Sequence, residues 1–125
     1  MGWMGWFAPR WKRREPLESL SPPAEEDLEE LARLRDAGSR LDLPHPVRAF
    51  LIFDHEEEAR HFVEAVDREA VKAIIRAEAD GRWMVTAVQT FIPTPGAVTK
   101  VREQLTALAE THSGRFVAWT APPVY

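Results

Sequence analysis

The side chains best spaced for metal chemistry are Asp54, His55, Glu58 and His61, two acids and two histidines close together in the chain. On a helix only residues three or four positions apart meet. Positions 55/58 and 58/61 can therefore approach, but 55 and 61 point apart and a four-ligand shell does not close. His55 beside a helix start and His61 on a polar stripe read as ordinary surface residues. His112 falls near an apolar stripe in the last turn of a later helix. A partly buried histidine at the negative end of the dipole is expected there, rather than a general base. Nucleophilic catalysis needs a base within reach of an activated hydroxyl or thiol. The chain has no cysteine, no Gly-x-Ser-x-Gly turn and six scattered glycines that suit turns and helix stops, not a phosphate loop. The chemistry expected is therefore none: no catalytic residue, no metal and no cofactor.

With 125 residues, 45% of them apolar, the chain is long enough for one domain with one core. The formal charge of -4 and the mixing of acids with bases along the chain imply no large basic surface for duplex nucleic acid. The lack of cysteine excludes disulfides and thiolate chemistry. Met1 to Phe7 is aromatic and precedes the basic group Arg10, Lys12, Arg13 and Arg14, the reverse of a secretory signal. No stretch approaches the ~18 consecutive apolar residues of a membrane span, and a cytoplasmic location is expected.

Residues 1–22 carry Trp3, Trp6, Phe7 and Trp11, then Pro16, Pro22 and Pro23, without a sustained period, and are read as an irregular aromatic and basic tail. Such a tail can touch a membrane or a partner. Residues 23–46 hold a short amphipathic helix and a connector. In the helix Leu28, Leu31, Ala32 and Leu34 follow an acidic first turn and precede a stop at Gly38. The acids Glu25, Glu26, Asp27, Glu29 and Glu30 are read as its solvated face, a docking face being the alternative. Leu41 to Pro46 should be extended.

The domain proper is placed at 47–125. Val47 to Phe53, apolar except for Arg48, reads as a buried strand. Asp54 can cap a helix over Glu56 to Arg68 with Ala59, Phe62, Val63 and Val66 inward. Val71 to Glu78 alternates, Asp80-Gly81 signals a hairpin, and Trp83 to Phe91 is again β-prone. Ala97, Val98, Val101, Leu105 and Leu108 form a second helical stripe, Gly114 is placed as the glycine after that helix, and Phe116 to Trp119 reads as a last strand. The order β-α-β-β-α-β predicts an α+β, ferredoxin-like fold: a four-stranded antiparallel sheet with two helices on one face, preceded by the short N-terminal helix.

The other face of such a sheet stays open. A two-residue loop at Asp80-Gly81 would set Glu78 opposite Trp83, Arg76 opposite Val85, Ile74 opposite Ala87 and Lys72 opposite Gln89, all on that face. A one-residue slip would invert it. Trp83, Arg76 and Ile74 are accordingly the candidate partner-binding residues, with Trp119 either beside them or in the core. Single-stranded RNA could stack on such a face. However, Gly81 to Val88 lacks the aromatic spacing of an RNA-recognition strand, and Glu78 offsets Lys72 and Arg76. Nucleic acid is therefore not the expected partner.

The run GRWMVTAVQTFIPT, Gly81 to Thr94, resembles the RraB family of protein inhibitors of ribonuclease E. So do the helix end at Leu105, Leu108, Ala109 and Glu110, the exit Ser113-Gly114-Arg115-Phe116, and the terminal strand with Trp119. Upstream, Leu31 through Leu43, Val47 to Phe53 with Asp54, and the helix bearing Ala59 and Phe62 are similar in order and spacing. The likeness covers residues 27 to 121 or so. Where the family pattern ends in Tyr-Asp-Gly-Trp-Glu, this chain has Phe116, Val117, Ala118, Trp119 and Thr120. The resemblance implies a non-catalytic, ferredoxin-like regulator that binds ribonuclease E outside its catalytic centre and lowers cleavage of RNA. The alternatives are an unassigned ferredoxin-like protein-interaction domain and a weak binder of single-stranded RNA or a small ligand.

Overall fold

The computed structural model describes residues 18–125; of the aromatic and basic tail read at residues 1–22, the first 17 residues lie outside them. The elements run α1 (Glu25–Asp36), β1 (His45–Phe53), α2 (Glu56–Ala65), β2 (Val71–Ala77), β3 (Trp83–Phe91), α3 (Pro95–Thr111) and β4 (Gly114–Thr120). The sheet is ordered β2-β3-β1-β4, with every neighbouring pair antiparallel. This is the expected ferredoxin-like arrangement. It puts β1 and β3 in the middle and leaves β2 and β4 as edges.

Strand alternation separates the two faces of the sheet. Val47, Ala49, Leu51 and Phe53 of β1 and Val85, Ala87 and Phe91 of β3 point to the helices and are buried. The apolar stripes expected for the helices close over them: Ala59, Phe62 and Val66 from the α2 segment, and Ala97, Val98, Val101, Leu105 and Ala109 from α3. Leu31 and Leu34 of α1 join the same core, so the N-terminal helix shares one apolar interior with the sheet. The Phe53 and Phe62 rings meet at 5.2 Å between centroids.

Helix ends follow local chemistry. Gly38 takes a φ of +85° after α1; its N–H donates to the Arg35 carbonyl and that of Ser39 to Leu34, the paired bonds of a glycine-terminated helix. Thr94 caps α3, its hydroxyl oxygen accepting from the Ala97 N–H at 3.1 Å with Pro95 as first helical residue. The Thr94 hydroxyl also donates to Glu18, and the Ser19 N–H donates to the Gly96 carbonyl. Glu18 and Ser19 of the segment read as tail are thus tied to the start of α3. For α2 the cap differs from expectation. His55, not Asp54, is the N-cap residue and makes no side-chain bond to the helix, which ends at Ala65 rather than Arg68.

Two further expectations need correction. β1 begins at His45, so Pro46 lies inside the strand and not in the connector. β4 pairs with β1 only from Arg48 onward, so position 46 is a local edge where proline is tolerated. After α3 the left-handed residue is Ser113, at φ +62°, not Gly114. Gly114 is required for space: a Cβ there would lie 2.2 Å from the Phe53 ring. Ser113→Gly should therefore stabilise the protein by about 0.5–1 kcal/mol, because a left-handed non-glycine residue carries a steric cost that glycine lacks. Thermal unfolding would show this as a rise of a few degrees in midpoint, and an unchanged or lower midpoint would count against it.

The hairpin register also shifts. Ala77 pairs with Trp83, Arg76 with Met84, Ile74 with Thr86 and Lys72 with Val88, one residue off the pairing expected from a two-residue loop. The Gly81 N–H donates to the Glu78 carbonyl and the Glu78 N–H to the Arg82 carbonyl, with Gly81 at φ +87°. A turn followed by a left-handed glycine bulge spans residues 79 to 81 and adds the extra residue. Asp80 reinforces it by accepting from the Arg82 backbone at 3.0 Å and side chain at 2.8 Å.

Candidate partner-binding face

The slip decides which side chains the open face carries. Reading across β2, β3, β1 and β4, the registers stack three outward rows. One is Lys72, Val88, Arg48 and Thr120. The next is Ile74, Thr86, Phe50 and Ala118, and the last is Arg76, Met84, Ile52 and Arg115. Ile74 is 66% exposed, while Phe50, Met84, Thr86 and Val88 are half-buried and Ile52 is buried. Arg48, Lys72, Arg76 and Arg115 are exposed, and the described ion pairs involve none of them. No acid stands in the three rows. A chain of net charge -4 thus presents a middle row without charge, centred on Ile74 and Phe50, between two rows that each contain two cations.

Among the residues singled out by sequence, Ile74 and Arg76 are on this face. Trp83, Val85, Ala87 and Gln89, expected there, lie on the helix side; Trp83 is partly buried and packs against the core. Trp119 is also on the helix side, opposite Ala49 and 7% exposed. Residues 48, 50, 52 and 115 went unassigned to the face. The signal available for β1 was the lone Arg48 in an apolar strand, which marks its own parity as outward.

Trp119 is held by a polar centre under α1. Asp27, 0% exposed, accepts from Arg102 Nε at 2.9 Å and Nη2 at 2.7 Å and from Trp119 Nε1 at 2.8 Å. The Arg102 guanidinium lies 4.6 Å from the Phe116 ring centroid, a cation–π distance. The acid run of α1 is therefore divided: Asp27 is a buried anchor joining α1, α3 and β4, while Glu25, Glu26 and Glu29 remain exposed. Burial of Glu30 would raise its pKa. Hydrogen bonds from Arg33 and Thr120, with the Arg33 charge, outweigh that and hold the carboxyl below its ordinary range.

Of the histidines, His61 and His112 come together, with ring centroids 6.5 Å apart. His45, which sequence did not distinguish, is fully buried. Its Nδ1 donates to the Leu43 carbonyl at 2.7 Å and its Nε2 meets the Ser39 hydroxyl at 2.6 Å. The Ser39 oxygen accepts from the Val124 N–H at 2.8 Å, so His45 fixes the segment after β4 against the end of α1. Among the described residues no group of three or more His, Cys, Asp or Glu side chains could hold a metal ion, and no helix is long and apolar enough to cross a membrane.

The family model for Regulator of ribonuclease activity B, RraB, matches residues 24–120. The chain belongs to this family. The match opens at the residue capping α1 and closes at the last residue of β4, so it takes in the Asp27 centre and all three rows of the open face. The RraB family regulates ribonuclease activity and is not a catalytic family, and this member is accordingly a regulator of ribonuclease activity. Comparison with curated proteins finds no match.

Proposed function

We propose that this RraB-family chain binds ribonuclease E directly, in the cytoplasm, and lowers its cleavage of RNA by occupying a segment outside the catalytic centre. The observation that carries the reading is the family match over residues 24–120, together with a sheet face that offers an uncharged row with exposed Ile74 between cations. Apolar anchors supply affinity when they lose water, and surrounding charges orient the partner. Ile74 is the anchor, with Arg76, Lys72 and Arg48 about it. Trp83 and Trp119 support the face from behind, because both point into the helix layer.

That placement also weighs against single-stranded RNA as the ligand. Stacking needs exposed aromatic rings, and Phe50, half-buried, is the one aromatic in the three rows.

Ile74→Asp should weaken binding to purified, nuclease-treated ribonuclease E at least tenfold, about 1.4 kcal/mol, and Arg76→Glu should do likewise. Both positions are exposed, so unfolding midpoints should stay put. Equal affinity of wild type and Ile74→Asp would remove the open face from the interface. Failure of the wild type to bind ribonuclease E would remove the partner. Retention of RNA alone, with affinity falling steeply with salt, would favour the nucleic-acid reading.

A further inference from the structure

We propose that the exposed edge of β2 accepts an added strand from its partner, and that the strand carries the pattern acid-x-aliphatic-x-acid. The inference rests on the reading above only for the identity of the partner. In an antiparallel pair, successive residues alternate between bonding their neighbour strand and pointing away from it. The Glu78 N–H bonds Arg82 across the hairpin, so Arg76, Ile74 and Lys72, in step with Glu78, bond β3. Ala73, Ile75 and Ala77 therefore direct their N–H and C=O groups outward. At the start of the strand the Val71 N–H is taken by the Asp67 carbonyl at 2.8 Å, consistent with that phase. No described strand pairs on that side.

An open edge of seven residues with this much Val, Ile and Ala is a template for another strand. What it selects is set by the side chains on the open face, Lys72, Ile74 and Arg76. A second copy pairing antiparallel about Ile74 would put Lys72 against Arg76 twice, and like charges directly opposite destabilise a ladder. The same two cations favour acids on either side of an aliphatic residue. Arg48 and Arg115, further in on the face, add to the positive field; Glu78, in step beyond Arg76, lies past the third row opposite Arg82, so the two acids of the added strand are matched to Lys72 and Arg76. Backbone bonds would supply the docking, while the alternation of charge and aliphatic surface would supply the register.

The test uses the full chain and the synthetic peptide acetyl-Thr-Glu-Thr-Ile-Thr-Glu-Thr-amide, with a version carrying Lys for both Glu as control. At millimolar peptide, amide exchange at Ala73, Ile75 and Ala77 should slow at least tenfold, while Lys72, Ile74 and Arg76, already bonded to β3, should change little. The lysine peptide should not protect them. Absence of protection, or equal protection by both peptides, overturns the proposal, as would protection that rises with protein concentration alone and so reports self-pairing.

With ribonuclease E, Ala73→Pro removes one outward N–H at an edge position where proline is tolerated, and should cut binding at least tenfold. If this variant folds and binds as wild type does, strand addition is wrong and the partner reading stands. If the peptide protects the three amides but wild type does not bind ribonuclease E, the edge proposal stands and the partner reading falls. Should the variant fail to fold, the exchange pattern on the unaltered chain decides.

Discussion

Asp27→Ala should be among the most damaging single substitutions in the chain, lowering stability by about 2–4 kcal/mol. The change removes the acceptor on which three donor nitrogens converge, Arg102 Nε, Arg102 Nη2 and Trp119 Nε1. It also leaves a guanidinium only 26% exposed and an indole N–H without their partner. Removing one side of a largely buried ion pair costs more than the pair itself contributes, because the remaining charge keeps its desolvation penalty. Residual exposure of Arg102 places the effect toward the lower end of that range. Asp27→Asn keeps the shape and one acceptor for Trp119 but loses the charge, and should cost less.

Urea unfolding followed by circular dichroism would measure both variants, and a double cycle with Arg102→Ala would isolate the coupling. A loss below about 0.5 kcal/mol for Asp27→Ala would show that Arg102 and Trp119 find other partners and that the centre does not hold α1. Because Trp119 lies in β4 and Asp27 in α1, disruption should also loosen the edge of the sheet that carries Arg115.

Gly114→Ala should cost about 2–3 kcal/mol by overpacking. The added methyl would sit 2.2, 2.4 and 2.7 Å from three carbons of the Phe53 ring. Phe53 is fixed from two sides: its backbone is paired to Trp83 and Gly114, and its ring packs against Phe62. Neither the ring nor the strand can yield without opening the core, which is as densely packed as a crystal. Phe53→Leu destabilises by itself, yet should make Gly114→Ala cheaper by relieving the contact, giving a coupling of opposite sign to the single losses. If Gly114→Ala unfolds within about 0.5 kcal/mol of wild type, the close approach of ring and backbone is not a constraint on this position.

Much of the architecture was legible in local pattern. Helical spacing marked Ala59, Phe62 and Val66 and the stripe from Ala97 to Leu108. Period-two runs marked the strands, and their order led to the ferredoxin-like sheet, because hydrophobic periodicity records which face of an element meets the core. Gly38 identified the end of α1 for a similar reason, since a left-handed residue there is a local demand.

What local pattern left open was every quantity that depends on two distant segments meeting. The hairpin register turned on whether the bend takes two residues or three, a choice with small energetic consequence in the loop but one that reverses which β3 side chains share a face with Lys72, Ile74 and Arg76. Trp83 moved to the helix layer, and Ile74 came to lie opposite Thr86. Asp27 looked like one acid among five until Arg102 and Trp119, 75 and 92 residues away, converged on it. Gly114 looked like a helix stop, although its lack of a side chain serves the ring of Phe53.

The sequence by itself determined the number, type and order of the elements and the family to which they belong, because these follow from short-range periodicity and a contiguous motif. Tertiary structure alone decided that four cations separated along the chain share one open face, that two tryptophans leave it, and that β2 is an edge. Strand pairing brings together residues far apart in sequence, and no single segment records its partner's register.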